Sequence, residues 1–94
     1  MMSTFTQLLY HIVFSTKNRQ RTLNIERRDE ILGYICGILK NRQSHVFRIN
    51  MTDDHVHIFC SIHPAENVSA IVKGIKIATN KWMRAENISP QFMA

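Results

Sequence analysis

Cysteine and proline occur only twice each and glycine three times in 94 residues, and each scarcity removes a class of protein. Cys36 and Cys60 both sit inside apolar segments. Two such thiols cannot build a disulfide scaffold or a thiolate metal cluster, so both are expected to be reduced core residues. With so little glycine and proline and no low-complexity stretch, nothing marks a disordered tail or linker. No apolar run approaches the roughly 18 residues that span a bilayer, and the N-terminus lacks a basic region followed by an apolar stretch and a small-residue cleavage site. A cytoplasmic protein is expected. Acidic residues are also few: seven Asp and Glu stand against 12 Lys and Arg, a net charge of +5. That balance favours a polyanionic partner, because cations that neutralise phosphates release condensed counterions.

What is present is an ordinary globular composition, 45% apolar and 20% charged, in a length that suits one compact core rather than two. Residues 1–94 are therefore expected to form a single domain. The segment Phe5 to Ser15, FTQLLYHIVFS, is rich in aromatic and β-branched residues and reads as a first strand. A polar, basic stretch from Thr16 to Arg21 follows. Asn24 then stands as an N-cap before Ile25, Leu32, Ile35, Cys36 and Leu39, whose helical spacing predicts an amphipathic helix to about Arg42. Gly33 and Gly37, one turn apart in it, are expected to permit close packing on a neighbour.

The run VFRINM alternates, with Val46, Arg48 and Asn50 expected on one side of a strand and Phe47, Ile49 and Met51 on the other. Thr52, Asp53 and Asp54 make a polar turn into HVHIFCSI, so a hairpin is predicted, ending at Pro64. Asn67 caps a last helix whose apolar stripe is Val68, Ile71, Val72, Ile75, Ala78 and Trp82. Lys73, Lys76, Asn80 and Arg84 run along its polar side, with Lys81 beside them and Ile77 interrupting. Strand, helix, strand, strand, helix is the opening of a ferredoxin-like α+β sandwich, an antiparallel sheet with two helices on one face. One further strand would complete that plan. The residues from Asn87 to Ala94, with Pro90 among them, do not supply it.

The segment Asp54-His55-Val56-His57-Ile58-Phe59 carries the chemistry. Side chains alternate along a strand, so His55 and His57 share a face with Cα atoms about 7 Å apart, while Val56 and Ile58 enter the core. Two imidazoles so placed can chelate one divalent ion. Asp53 and Asp54 are candidates to coordinate or orient such an ion from the turn, against the plainer role of bonding the local backbone. His11, His45 and His63 show no pairing pattern and read as solvent-facing or hydrogen-bonded. Tyr10 and Tyr34 read as packing residues.

His55-Val56-His57 resembles the histidine-hydrophobic-histidine (HUH) motif of single-strand endonucleases, and YHIVFSTKNR, Tyr10 to Arg19, resembles the first strand of the single-tyrosine transposases of the insertion-sequence 200/605 group. The Asp54 before the pair, the spacing of the two strands and the basic last helix ending in KWMR are similar to that family's order over nearly the whole chain. The resemblance implies that His55 and His57, with a further polar side chain, hold Mg2+ or Mn2+ against a scissile phosphate. It implies that a tyrosine on a later helix attacks single-stranded DNA, giving a 5′-phosphotyrosine link and a free 3′-OH. The last strand and that helix are expected to be missing here, and neither Tyr10 nor Tyr34 replaces the nucleophile.

Coupled to that resemblance, Lys17, Arg19 and Arg21 after the first strand and Lys73, Lys76, Lys81 and Arg84 on the last helix are expected to follow a DNA backbone, with Trp82 or Phe92 as base-stacking candidates and core packing the plainer role for Trp82. The expected partners are single-stranded, hairpin-containing DNA and a second copy of the chain, recruited by the unpaired sheet edge. The leading expectation is a DNA- and metal-binding module that is inactive alone. The alternatives are activity completed by a partner's tyrosine, and a non-catalytic interaction domain in which the histidines are incidental.

Overall fold

The computed structural model describes residues 8–87 apart from Thr22, and the side chain of Arg19 is not among those described. The expected start of the first strand, residues 5–7, and Phe92 lie outside the described residues. Three strands form one sheet: β1 (Leu8–Ser15), β2 (His45–Met51) and β3 (His55–Ile62), in the order β1-β3-β2 with both pairings antiparallel. Two helices accompany them, α1 (Arg28–Asn41) and α2 (Val68–Ala85). This is the expected α+β architecture.

Alternation fixes which face each side chain enters. Ile12 and Phe14 of β1 and Val56, Ile58, Cys60 and Ile62 of β3 are buried in one cluster with Ile31, Ile35 and Leu39 of α1 and Ile71, Ile75 and Met83 of α2. Since both helices share a core with one face of the sheet, both lie on that face. Each buried Ile or Leu contributes about 1.5–3 kcal/mol. The row Ile31, Ile35, Leu39 therefore outweighs the roughly 0.5–1 kcal/mol that each glycine costs α1. The other face, bearing the odd-numbered residues of β1 and β3, is covered by no described element.

Local signals act at the expected places. The Asn67 side chain accepts a hydrogen bond from the Ala70 N–H at 3.1 Å and caps α2. Asn24 accepts from the Glu26 N–H at 3.0 Å. What it starts is a 3-10 turn at Ile25–Arg27 that leads into α1. Ile25, placed in the apolar stripe by spacing, is 47% exposed because that turn carries it out of phase with the core row.

Two further expectations are corrected. An added Cβ on Gly33 or Gly37 would meet nothing within 4 Å. Both glycines lie on the solvent side of α1, so they mediate no close approach. The alternation of β2 also breaks, because a bulge between Val46 and Arg48 shifts the register. Val46 pairs with Cys60 and Ile49 with Ile58, on the core side. Phe47 turns instead to the open face, where its ring lies 5.6 Å from that of Phe59. The extra residue inverts the phase of the strand's first half.

Candidate metal and nucleic-acid site

The open face gathers the histidines. His55 and His57 leave β3 side by side, ring centroids 4.4 Å apart and edge to face. Ser15 and Val13 of β1 stand opposite them in the antiparallel register, and Asn50 of β2 stands opposite His57 on the other flank. The hairpin turn closes with the Thr52 N–H donating to the His55 carbonyl at 2.9 Å, which holds Asp54 beside the first imidazole.

Each imidazole has its Nδ1 engaged. The Asp54 carboxylate lies 2.5 Å from His55 Nδ1, and the Thr52 hydroxyl donates to the same carboxylate oxygen at 2.9 Å. A ring that donates from Nδ1 to a carboxylate keeps Nε2 as a lone pair, the form a metal takes. His57 Nδ1 lies 3.3 Å from His11 Nε2. No described residue hydrogen-bonds the Nε2 of either ring. Partial burial first, then the neighbouring His55 and His11, hold His57 below the ordinary histidine value of 6.5, which favours its neutral form, the one in which an imidazole can ligate a metal.

These donors fit a divalent ion in kind. Two neutral imidazole nitrogens suit Mn2+ better than Mg2+, which prefers oxygen. Among the described residues, no three His, Cys, Asp or Glu side chains converge as a complete metal site, so a further ligand would come from water, substrate or another residue. Asp54 sits as an orienting group on His55. Asp53 instead lies 4.0 Å from the Arg21 guanidinium, and its carbonyl accepts from the Leu23 N–H.

The basic residues fall into two sets. Lys17 and Arg21 follow β1, whose end is tied to the hairpin turn by the Thr16 N–H donating to the Asp54 carbonyl at 2.8 Å. They therefore stand at the end of the sheet that carries His55. Lys73, Lys76, Lys81 and Arg84 lie on α2, in the helical layer, with the sheet between them and the histidines. Trp82 stacks on Tyr34 at 4.4 Å with planes 6° apart, an intramolecular packing role. Tyr34 donates its hydroxyl to the Ala78 carbonyl at 3.4 Å, and Tyr10 pairs with Cys60 on the core side. Neither tyrosine hydroxyl is on the histidine face.

Sequence reasoning passed over His11 and Arg48. Together with Phe47 and Phe59 they line a shallow pocket of about 490 Å³ beside the pair. The signal for His11 was available in the antiparallel pairing of YHIVFS with HVHIF, which puts His11 opposite Phe59 and thus on the face of His57. No pattern within a single segment reveals it.

An antiparallel sheet covered by two helices on one side, with a paired-histidine motif on the other, is the plan implied by the resemblance, and residues 4–91 match the family model described as "Transposase IS200 like". The chain belongs to that family. It is 29% identical over 77 residues to the ISDra2 transposase TnpA of Deinococcus radiodurans, a match covering 82% of this chain and 55% of the relative. The chain thus spans about half the length of that curated relative. Its fold is also that of a crystal structure from Deinococcus radiodurans R1, provisionally described as a transposase: the TM-score is 0.84 at 19% identity, over 99% of this chain and 77% of that one. Among the described residues, no helix is long and apolar enough to cross a membrane.

Proposed function

We propose that this chain is the metal- and DNA-holding part of a transposase that cuts and rejoins single-stranded DNA, with His55 and His57 as ligands of Mn2+ or Mg2+. The observation that carries this reading is the adjacency of the two imidazoles at 4.4 Å, each with its Nδ1 already engaged by a neighbour. Bound there, the ion would supply Lewis-acid polarisation of a phosphodiester.

The chain's own residues bind and orient. Asp54 fixes the tautomer of His55. Lys17 and Arg21 offer cations to the backbone entering at the His55 end, and Arg48 offers one beside His57. No described tyrosine faces the histidines, so the attacking hydroxyl is supplied from elsewhere, and the described residues hold the strand without cutting it.

A second reading follows from the uncovered sheet face and from β1 and β2 being edges among the described residues. Under it, a second copy or an intact family member docks there and brings the tyrosine, as in a dimer with sites completed in trans.

Incubation with Mn2+ and single-stranded hairpin DNA tests both readings. The chain alone is expected to bind DNA in a salt-sensitive manner without a covalent adduct. It is expected to restore cleavage to a full-length relative whose histidine pair has been removed but whose tyrosine is intact. An adduct formed by the chain alone overturns the holding role, no binding at low salt overturns the module, and no rescue overturns completion in trans. Unchanged Mn2+ binding in His57→Ala would leave a non-catalytic interaction domain.

A further inference from the structure

His11 stands on a different strand from the histidine pair, yet its ring meets that of His57. Opposite His57 in the register is Val13, and opposite His11 is Phe59. The two histidines are therefore diagonal cross-strand neighbours, a relation within reach of long side chains. Their ring centroids are 5.4 Å apart, and His11 Nε2 lies 3.3 Å from His57 Nδ1.

Only one of two facing imidazole nitrogens can carry the shared proton. If Nδ1 of His57 carries it, His57 donates to His11 Nε2 and keeps its own Nε2 as a lone pair. If His11 carries it, His57 must hold its remaining proton on Nε2, and the ligating nitrogen is blocked. The first arrangement makes the two halves of the pair equivalent. His55 donates from Nδ1 to the Asp54 carboxylate, and His57 donates from Nδ1 to the imidazole of His11.

Resting on the metal-binding reading above, we propose that His11 is a positioning residue for the metal pair, accepting the Nδ1 proton of His57 and so presenting its Nε2 to the cation. His11 acts through His57 and is not itself a ligand. Outer partners of ligating histidines commonly change metal affinity about 10- to 100-fold when removed. His11 is exposed, so its replacement leaves the core intact.

The experiment titrates the parent chain, His11→Leu, His11→Gln and His57→Ala with Mn2+, and with Ni2+ as a tighter imidazole-seeking probe. Circular dichroism checks the fold of each variant, and electron spin-echo spectroscopy of the Mn2+ forms counts coordinated imidazoles. His57→Ala is expected to abolish specific binding. His11→Leu, which offers no acceptor, is expected to weaken it about 10- to 100-fold. His11→Gln, whose amide oxygen accepts, is expected to stay within a few-fold of the parent, with two coordinated imidazoles in both.

Several results overturn the proposal. Parent-like affinity in His11→Leu, or His11→Gln as weak as His11→Leu, removes the acceptor role. Three imidazoles in the parent make His11 a ligand instead. A parent that binds neither metal, or a His57→Ala that binds like the parent, overturns the metal reading itself and separates that failure from a failure confined to His11.

Discussion

Asp54 Oδ1 stands 2.5 Å from His55 Nδ1, and Thr52 donates its hydroxyl to that same carboxylate oxygen. The turn residues thus do more than close the hairpin. They hold the first imidazole of the pair in one orientation, and the carboxylate, which only accepts, favours the tautomer that donates its Nδ1–H and leaves Nε2 as a lone pair. The charge of Asp54 also lowers the local cost of bringing a cation to the face.

Removing that support is expected to weaken metal binding without unfolding the chain. Asp54→Ala should lower Mn2+ affinity about 10- to 100-fold. Asp54→Asn, which keeps an acceptor oxygen but not the charge, should lower it less. Isothermal titration of the three proteins orders them, and an Asp54→Ala variant that binds like the parent would show that the carboxylate serves only the turn.

The histidine pair also sets a pH dependence whose direction is fixed. His57 is held below 6.5, chiefly by partial burial and then by His55 and His11. On acidification the unfolded chain therefore protonates this group before the folded chain does. Its contribution to folding stability is present above 6.5 and declines as the pH falls from 6.5 to the lowered folded value. On the proposed metal-binding reading, proton competition moves metal affinity the same way. A histidine Cε1 proton titration by NMR should give His57 a midpoint below 6.5, and a midpoint at or above that value contradicts the assigned environment.

Elements and sheet faces were legible because they depend on local period. HVHIFCSI alternates, so His55 and His57 had to share a face opposite Val56 and Ile58. Asn67 before an apolar stripe had to start a helix. The Phe47 bulge was not legible, since VFRINM satisfies a regular strand, and the irregularity is decided by how β2 meets β3. His11 was not legible within its own strand because its meeting with His57 is set by register between segments 46 residues apart in the chain. The basic residues illustrate a third limit. Charge grouped Lys17 and Arg21 with Lys73, Lys76, Lys81 and Arg84, while the fold sets the first two at the end of the sheet beside the hairpin turn and the other four on α2, across the sheet from the histidines. Whether a residue pattern faces the sheet or the solvent is likewise a matter of helix phase, as Gly33 and Gly37 show.

Those two glycines give a stability prediction. Neither has positive φ, and a Cβ at either would meet open space. Gly33→Ala and Gly37→Ala should each stabilise the fold by about 0.5–1 kcal/mol through the lower conformational entropy of the unfolded chain and better helix propensity. The pair, one turn apart with no shared contact, should add. Urea titration measures this, and a loss of stability in either variant would mean that the glycine contacts a neighbour after all.

Thr79 offers the opposite kind of test, inside the core. It is fully buried on α2 between Ile75 and Met83, and its hydroxyl has no hydrogen-bond partner among the described residues. A buried hydroxyl without a partner costs about 1–3 kcal/mol in lost hydration. Valine has nearly the same shape and a helix propensity close to that of threonine. Thr79→Val should therefore stabilise the protein by about 1 kcal/mol, which raises the melting temperature of a domain this size by roughly 4–8 °C. A thermal melt that falls instead would show that the hydroxyl is satisfied in solution, through α2 itself or a trapped water. In that case the α2 layer would tolerate Thr79→Ser better than Thr79→Val.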